Sequence, residues 1–396
     1  MNFRLMAAAA ASVLALAGPA IAIEGSTSAS TLRALGAQVR LRIGTAAVPS
    51  DFSDPTLSQI TAEQFSVLTP GNEMKWQVVE PQQGNFNWTG ADNLVNFAEQ
   101  HGQLVRGHTL MWHNQLPNWL TQGVASGTIS ASQLRDLLRQ HIAIEVGRYR
   151  GKIWQWDVVN ELLADANPSQ IRPNDFWVSN LGPGIVADAF RWAHAADPKA
   201  LLCYNDYNIA GEDGSNAKHN AAVALIKSLQ AEKAPIDCVG DQGHLDLQFG
   251  FNQILMTQDL QEFASLGLKV AITEADVRTF VETTDTNQSP VVSPTDLTPS
   301  HTADPAATDW YIGMVQSCLT LKACISFTVW GFADSHSWVP GTFRGEGDAD
   351  LYDVNLNPKP QFTGVQQTLA LARGAPNRGR VRDGDRDHDG DDHDRD

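Results

Sequence analysis

The chain has 396 residues, of which 42% are hydrophobic and 18% charged. That is enough apolar material for a large core and excludes disorder along the whole length. With 28 Lys and Arg against 45 Asp and Glu, the formal net charge is −17. So acidic a surface repels phosphate backbones and argues against general nucleic-acid binding. About 150 residues per domain would give two or three domains, but one α/β barrel can exceed about 250 residues.

The first element is a leader. Arg4 supplies a positive start, Leu5 to Leu16 is an apolar run, and Ala20-Ile21-Ala22 fits a small-x-small cleavage site. This pattern predicts a signal peptide over residues 1–22, and therefore export. The apolar run is shorter than the roughly 20 residues of a membrane span, so no membrane association is expected after cleavage. Residues 23–41 read as a segment ahead of the main domain.

Eight short apolar or β-branched runs follow. They lie at Arg42–Ala47, Ser66–Pro70, Leu104–His108, Ile153–Asn160, Leu201–Asn205, Asp237–Asp241, Val270–Thr273 and Ile325–Trp330. Amphipathic stretches separate most of them. In 133–149, for instance, Leu134, Leu137, Leu138, Ile142 and Val146 recur near helical spacing. Eight strand–helix units predict a single (β/α)8 TIM barrel over 42–372. An open doubly wound sheet is the alternative, but no Gly-rich phosphate turn follows the first strand.

Residues 280–308 are rich in Thr, Ser, Pro and Asp and interrupt the step from the seventh strand to its helix. A loop of this length beside the seventh strand end is expected to border the site. Residues 373–396 alternate charges and cannot bury a core, so a disordered tail is expected. Within it Asp385, Asp387 and Asp389 precede Gly390 in the opening of a calcium-loop pattern. The usual Glu at the twelfth position and the flanking helices are missing, so a solvated tail is the preferred reading. Asn87 and Asn287 begin glycosylation sequons.

Polar residues crowd the strand ends. Asn72 and Lys75 follow the second strand, and His108 and Trp112 the third. Asn160 and Glu161 follow the fourth, and Asn205 and Asp206 the fifth. Gln242 and His244 follow the sixth, Glu274 and Asp276 the seventh, and Trp330 the eighth. In a barrel these ends converge on one mouth, where the active site sits. Glu161 and Glu274 close two apolar strands, and such a pair can protonate a leaving oxygen and attack an anomeric carbon. The chain has 11 Trp but 5 Tyr. Trp76, Trp112, Trp330 and Trp338 are expected in the mouth loops, where flat faces suit sugar rings, whereas Trp192 reads as core filler.

The motifs TPGNEMKW (69–76), GHTLMWHNQLPNW (107–119), WDVVNE (156–161), LCYNDYN (202–208), PIDCVGDQGH (235–244), ITEADV (272–277) and FTVWGFADSHSW (327–338) occur in that order. Together they resemble glycoside hydrolase family 10, the endo-β-1,4-xylanases. The resemblance implies a secreted enzyme that cleaves internal bonds of xylan with retention of configuration, without metal or organic cofactor, as a monomer. It implies Glu161 as acid/base and Glu274 as nucleophile, with carboxyl groups about 5–5.5 Å apart. It implies His244 as support for the nucleophile and Asp276 as support for His244. Asn160 corresponds to a contact with the sugar 2-hydroxyl. Asn72, Lys75, His108 and Trp112 correspond to the glycone side, Gln242 to a neighbouring substrate contact, and Trp330 and Trp338 to aromatic walls. The chain departs from the pattern at Gly71, where Glu often stands, and at Ala333, where Arg often stands.

A related β-1,4-glucanase and an inactive sugar-binding barrel are the alternatives. Retention of both Glu161 and Glu274 argues against the second. The four cysteines pair most simply as Cys203–Cys238, on neighbouring strands, and Cys318–Cys324, with two buried thiols as the alternative at the first pair.

Overall fold

The computed structural model describes residues 30–165, 167, 170–211, 216–281 and 305–373. The leader, most of the 280–308 loop, Asn287, and the tail with Asp385, Asp387 and Asp389 fall outside these residues.

The main sheet closes on itself. Its strands are β1 (Arg42–Ala47), β2 (Val67–Pro70), β3 (Leu104–Trp112), β4 (Ile153–Asn160), β5 (Leu201–Asp206), β6 (Cys238–Asp241), β7 (Lys269–Phe280) and β8 (Cys324–Val329). Each pairs in parallel with the next. Parallel pairing of β8 with β1, Ser326 opposite Arg42 and Val329 opposite Thr45, completes the barrel. Helices lie between the strands, so the fold is the expected (β/α)8 barrel. Because both faces of such strands are covered, they read as near-continuous apolar runs. Val67–Pro70 and Cys238–Asp241 are buried throughout.

The helix Ala131–Arg148 shows how local signals set its limits. Ser130 and Gln133 form a capping box at its start. Leu134, Leu138, Ile142 and Val146 face the barrel and are buried, as the spacing predicted. Ahead of β1, the helix Leu32–Gln38 buries Leu32 and Leu35. It packs against the C-terminal helix Pro360–Leu371 and against β1.

Two devices shape the mouth. Gly243 takes φ +77°, a conformation that costs glycine little. It turns the chain from β6 into a short strand, His244–Asp246, that pairs with the outer part of β7 and sets His244 opposite Asp276. Glu346–Gly347 then pairs antiparallel with Phe280 and Thr279 at the end of β7.

Both expected disulfides are present. Cys203 and Cys238 are register partners on β5 and β6, with Cα atoms 4.5 Å apart. Cys318 and Cys324 span the turn into β8 with Cα atoms 5.1 Å apart.

Candidate active site

Glu161 is the first residue beyond β4, and it takes φ +54°. That left-handed conformation costs a non-glycine residue about 1–2 kcal/mol. Its N–H donates to the Asn205 carbonyl at 2.9 Å, which holds the turn. The carboxyl is gripped on both oxygens. Trp112 Nε1 donates to Oε2 at 2.9 Å, and Gln242 Nε2 donates to Oε1 at 3.0 Å. Burial raises its pKa, with the charges of Asp206 and Glu274 pushing the same way against the Gln242 and Trp112 hydrogen bonds.

Glu274 sits within β7, 4% exposed, and its surroundings are the reverse. Asn205 Nδ2 donates to Oε1 at 2.8 Å, and Arg106 Nη2 stands 3.3 Å from the same oxygen. His244 Nε2 lies 3.4 Å from Oε2. Burial alone would raise this carboxyl. The imidazoles of His108 and His244 and the Arg106 guanidinium more than reverse that and hold it well below the usual carboxylate range.

His244 is itself held by Asp276, whose Oδ2 lies 2.8 Å from Nδ1. Burial opposes the charged imidazole, but Asp276 and Glu274 outweigh it and push His244 up to about 10. Asp276 Oδ2 also accepts from Trp338 Nε1 at 2.8 Å, so one carboxylate fixes both a histidine and an aromatic wall. The two glutamates are linked through amides. Asn205 Nδ2 reaches both Glu274 and Asn160 Oδ1, each at 2.8 Å, while Gln242 Nε2 spans Glu161 and Asn160. With its Oδ1 committed inward, Asn160 keeps its Nδ2 for a ligand.

Glu161, Glu274 and His244 line a cleft of about 660 Å³ together with Lys75, His108, Trp112, Gln242, Trp330 and Trp338. Lys75 Nζ donates to Asn72 Oδ1 at 3.1 Å and lies 5.2 Å from the centre of the Trp112 ring. Burial lowers its pKa. The expected site residues therefore meet in one place.

Trp76 does not join them. It is 3% exposed and stacks on His141 at 3.8 Å and on Trp177 at 5.3 Å, both on helices outside the barrel. An indole that follows a strand end can pack into the helix layer as well as line the mouth. Trp192 is partly buried against the core.

Arg106, Asp157 and Asn205 are the functional neighbours that strand-end reasoning passed over or left without a role. Arg106 Nη2 forms an ion pair with Asp157 Oδ2, and Nη1 donates to the Thr273 carbonyl at 3.2 Å. A charged residue inside an apolar strand, as in LVRGHTL and WQWDVV, is the signal for such a partner, because charges are almost never fully buried unless paired. The nearest approach to a metal-ligand set among the described residues is His108, Asp157 and Glu274, with ligand atoms within 4.8 Å of one another. The Arg106 guanidinium already occupies that space between the two carboxylates, and a second cation there would be repelled.

Comparison with known proteins now decides the family. The profile of Glycosyl hydrolase family 10 matches residues 31–368. The chain belongs to this family. A family relative, endo-1,4-beta-xylanase B of Thermotoga neapolitana, is 36% identical over 85% of this chain and 91% of its own length. Among solved structures, xylanase 10B from Thermotoga petrophila in complex with xylobiose is 34% identical, with a TM-score of 0.75, over 86% of this chain and 97% of that one. The Penicillium canescens endo-1,4-beta-xylanase XylE gives a TM-score of 0.76 at 29% identity, over 87% and 98%. As a family member the chain is a glycoside hydrolase.

Proposed function

We propose that this glycoside hydrolase is a secreted endo-1,4-β-xylanase that retains anomeric configuration through a covalent glycosyl-enzyme. One observation carries the reading. Glu161 and Glu274 share a cleft, yet their surroundings drive their pKa values apart, the former up and the latter down. Divergent pairs of this kind mark an acid and a nucleophile. The names of the relatives, all endo-1,4-beta-xylanases, supply the substrate.

In the first step Glu274 attacks the anomeric carbon while Glu161 gives its proton to the leaving oxygen. The glycosidic bond breaks, an ester bond to Glu274 forms, and Glu274 loses its charge. Glu161, left as a carboxylate by its proton donation, is stabilised in that form by the loss of the Glu274 charge and takes a proton from the attacking water. Water then displaces Glu274, with overall retention. Arg106, His244 and Asn205 hold Glu274 ionised and aimed before attack. Asn160 offers its amide to the sugar 2-hydroxyl, and Asn72, Lys75, His108 and Trp112 bind the glycone side. Trp330 and Trp338 cover the sugar faces. The 1–22 leader supports export, as do two disulfides. Among the described residues no helix is long and apolar enough to cross a membrane.

The test is a pair of variants on two substrates. Glu274→Ala abolishes turnover on every substrate. Glu161→Ala spares the first step for aryl xylosides with good leaving groups, which need little protonation, while turnover of xylan falls by about 10²–10⁴-fold. Equal losses on both substrates would refute the assigned roles.

A further inference from the structure

The segment that follows Glu161 folds back on the site. Leu163 bridges Ile171 in antiparallel fashion, and Arg172 N–H donates to the Leu162 carbonyl at 2.8 Å. Asp175 then caps the helix Phe176–Leu181, its Oδ1 accepting from the N–H groups of Trp177 at 3.0 Å and Val178 at 2.8 Å. The Trp177 ring is fully buried. It stacks on Trp76 with centroids 5.3 Å apart and planes 11° apart, and Phe176 meets it edge-on at 5.0 Å. Rings on a face and an edge restrict the orientation of the indole. In that orientation its Nε1 donates to the Trp112 carbonyl at 2.8 Å. Trp112 ends β3, and its own Nε1 donates to Glu161 Oε2 at 2.9 Å. The contacts therefore close a circuit: Glu161 opens the segment, Trp177 brings it back to Trp112, and Trp112 returns to Glu161. Trp177 itself does not line the cleft. A partly buried carbonyl left without its donor is costly, so loss of the Trp177 N–H would let the end of β3 shift toward another partner, and the Trp112 indole with it.

We propose that Trp177 is a positioning residue for proton donation: its indole N–H fixes Trp112, and Trp112 fixes the Glu161 carboxyl toward the leaving oxygen. The inference rests on the reading of Glu161 as the acid. The Trp112 hydrogen bond favours the charged form of Glu161. A loosened Trp112 therefore leaves Glu161 both less well aimed and a weaker acid. Trp177 touches neither substrate nor the reacting atoms and acts through Trp112 alone.

The experiment measures kcat/KM against pH for a xylo-oligosaccharide and for an aryl xylobioside with a good leaving group, using the full chain, together with Tm. Trp177→Phe keeps a ring on Trp76 and removes the donor. It should lower kcat/KM for the xylo-oligosaccharide by about tenfold, part of the roughly 10²–10⁴ that a positioned acid supplies, and leave the aryl substrate within about twofold. The alkaline limb of the xylo-oligosaccharide profile should move to higher pH. Asp175→Ala loosens the helix without altering the indole and should give the same pattern in smaller measure; if Trp177→Phe does not fold, this variant decides. Trp76→Phe removes a similar volume but keeps the Trp177–Trp112 hydrogen bond. It should lower Tm and leave the limb and the ratio of the two substrates unchanged. Equal losses on both substrates in Trp177→Phe, an unmoved limb in both Trp177→Phe and Asp175→Ala, or the same pattern in Trp76→Phe would overturn the proposal. Equal losses on both substrates in Glu161→Ala would instead overturn the assignment of the acid.

Discussion

Residues in this site act through what they do to two carboxyl groups. Glu161 must hold a proton at the start of the cycle, and its buried position raises its pKa to that end. The rate kcat/KM therefore falls as pH rises through this raised value, because the free enzyme then lacks its acid. Gln242 Nε2 donates to Glu161 Oε1 at 3.0 Å and so favours the charged form. Gln242→Leu removes that donor, disfavours the carboxylate and moves the alkaline limb of the kcat/KM profile to higher pH. A limb displaced to lower pH would contradict the assignment. His244 carries the opposite linkage. Its pKa, pushed up to about 10, lies above the roughly 6.5 of an unfolded histidine. Its contribution to stability is complete below about pH 6.5 and is lost as pH rises through about 10. The difference in Tm between wild type and His244→Gln should narrow across that window. A constant difference would show that His244 is not charged in the fold.

At the scale of elements, the barrel interior positions the site from beneath. Gly240 on β6 faces Asn205 on β5, and a Cβ there would meet Asn205 Oδ1 at 2.4 Å. Asn205 in turn holds Asn160 and Glu274. Gly240→Ala should therefore lower kcat by about tenfold or more, consistent with the sensitivity of catalysis to displacements of about 1 Å. Unchanged kcat in a folded variant would show that Asn205 does not aim the nucleophile. The strands were legible because buried parallel strands are apolar and β-branched, and β1 and β4 begin and end where the pattern placed them. Two strands run several residues further than the pattern indicated. β3 continues to Trp112 and β7 to Phe280, where polar mouth residues break the apolar run but the backbone stays extended. Both glutamates were legible for the same reason, as carboxylates closing apolar strands. Arg106 was not, since its reason for being buried is a partner 51 residues away in the chain. Trp76 was misplaced because its position after a strand end does not tell an indole packed among helices from one on the cleft wall.

For the whole molecule, the net charge of −17 is not a property of the cleft. The tail 373–396 holds eight Asp but also six Arg, a net of −2, so most of the acidity is spread over the rest of the chain, whereas in the site Arg106, His244 and Lys75 stand against the carboxylates. This balance suits a neutral polysaccharide. The body is held at its seams by covalent and apolar means. By chain entropy the Cys203–Cys238 bridge, closing 35 residues, contributes about 4 kcal/mol. The packing of Leu32–Gln38 against Pro360–Leu371 ties the two ends of the described chain together. On this scaffold the central claim is that cleavage of xylan passes through a glycosyl ester on Glu274. The most direct measurement is proton NMR of the anomeric signals during hydrolysis of a xylo-oligosaccharide, recorded before mutarotation. The β-anomer should appear first and the α-anomer only later. First appearance of the α-anomer would contradict the account, because it would require water, not Glu274, to attack the anomeric carbon.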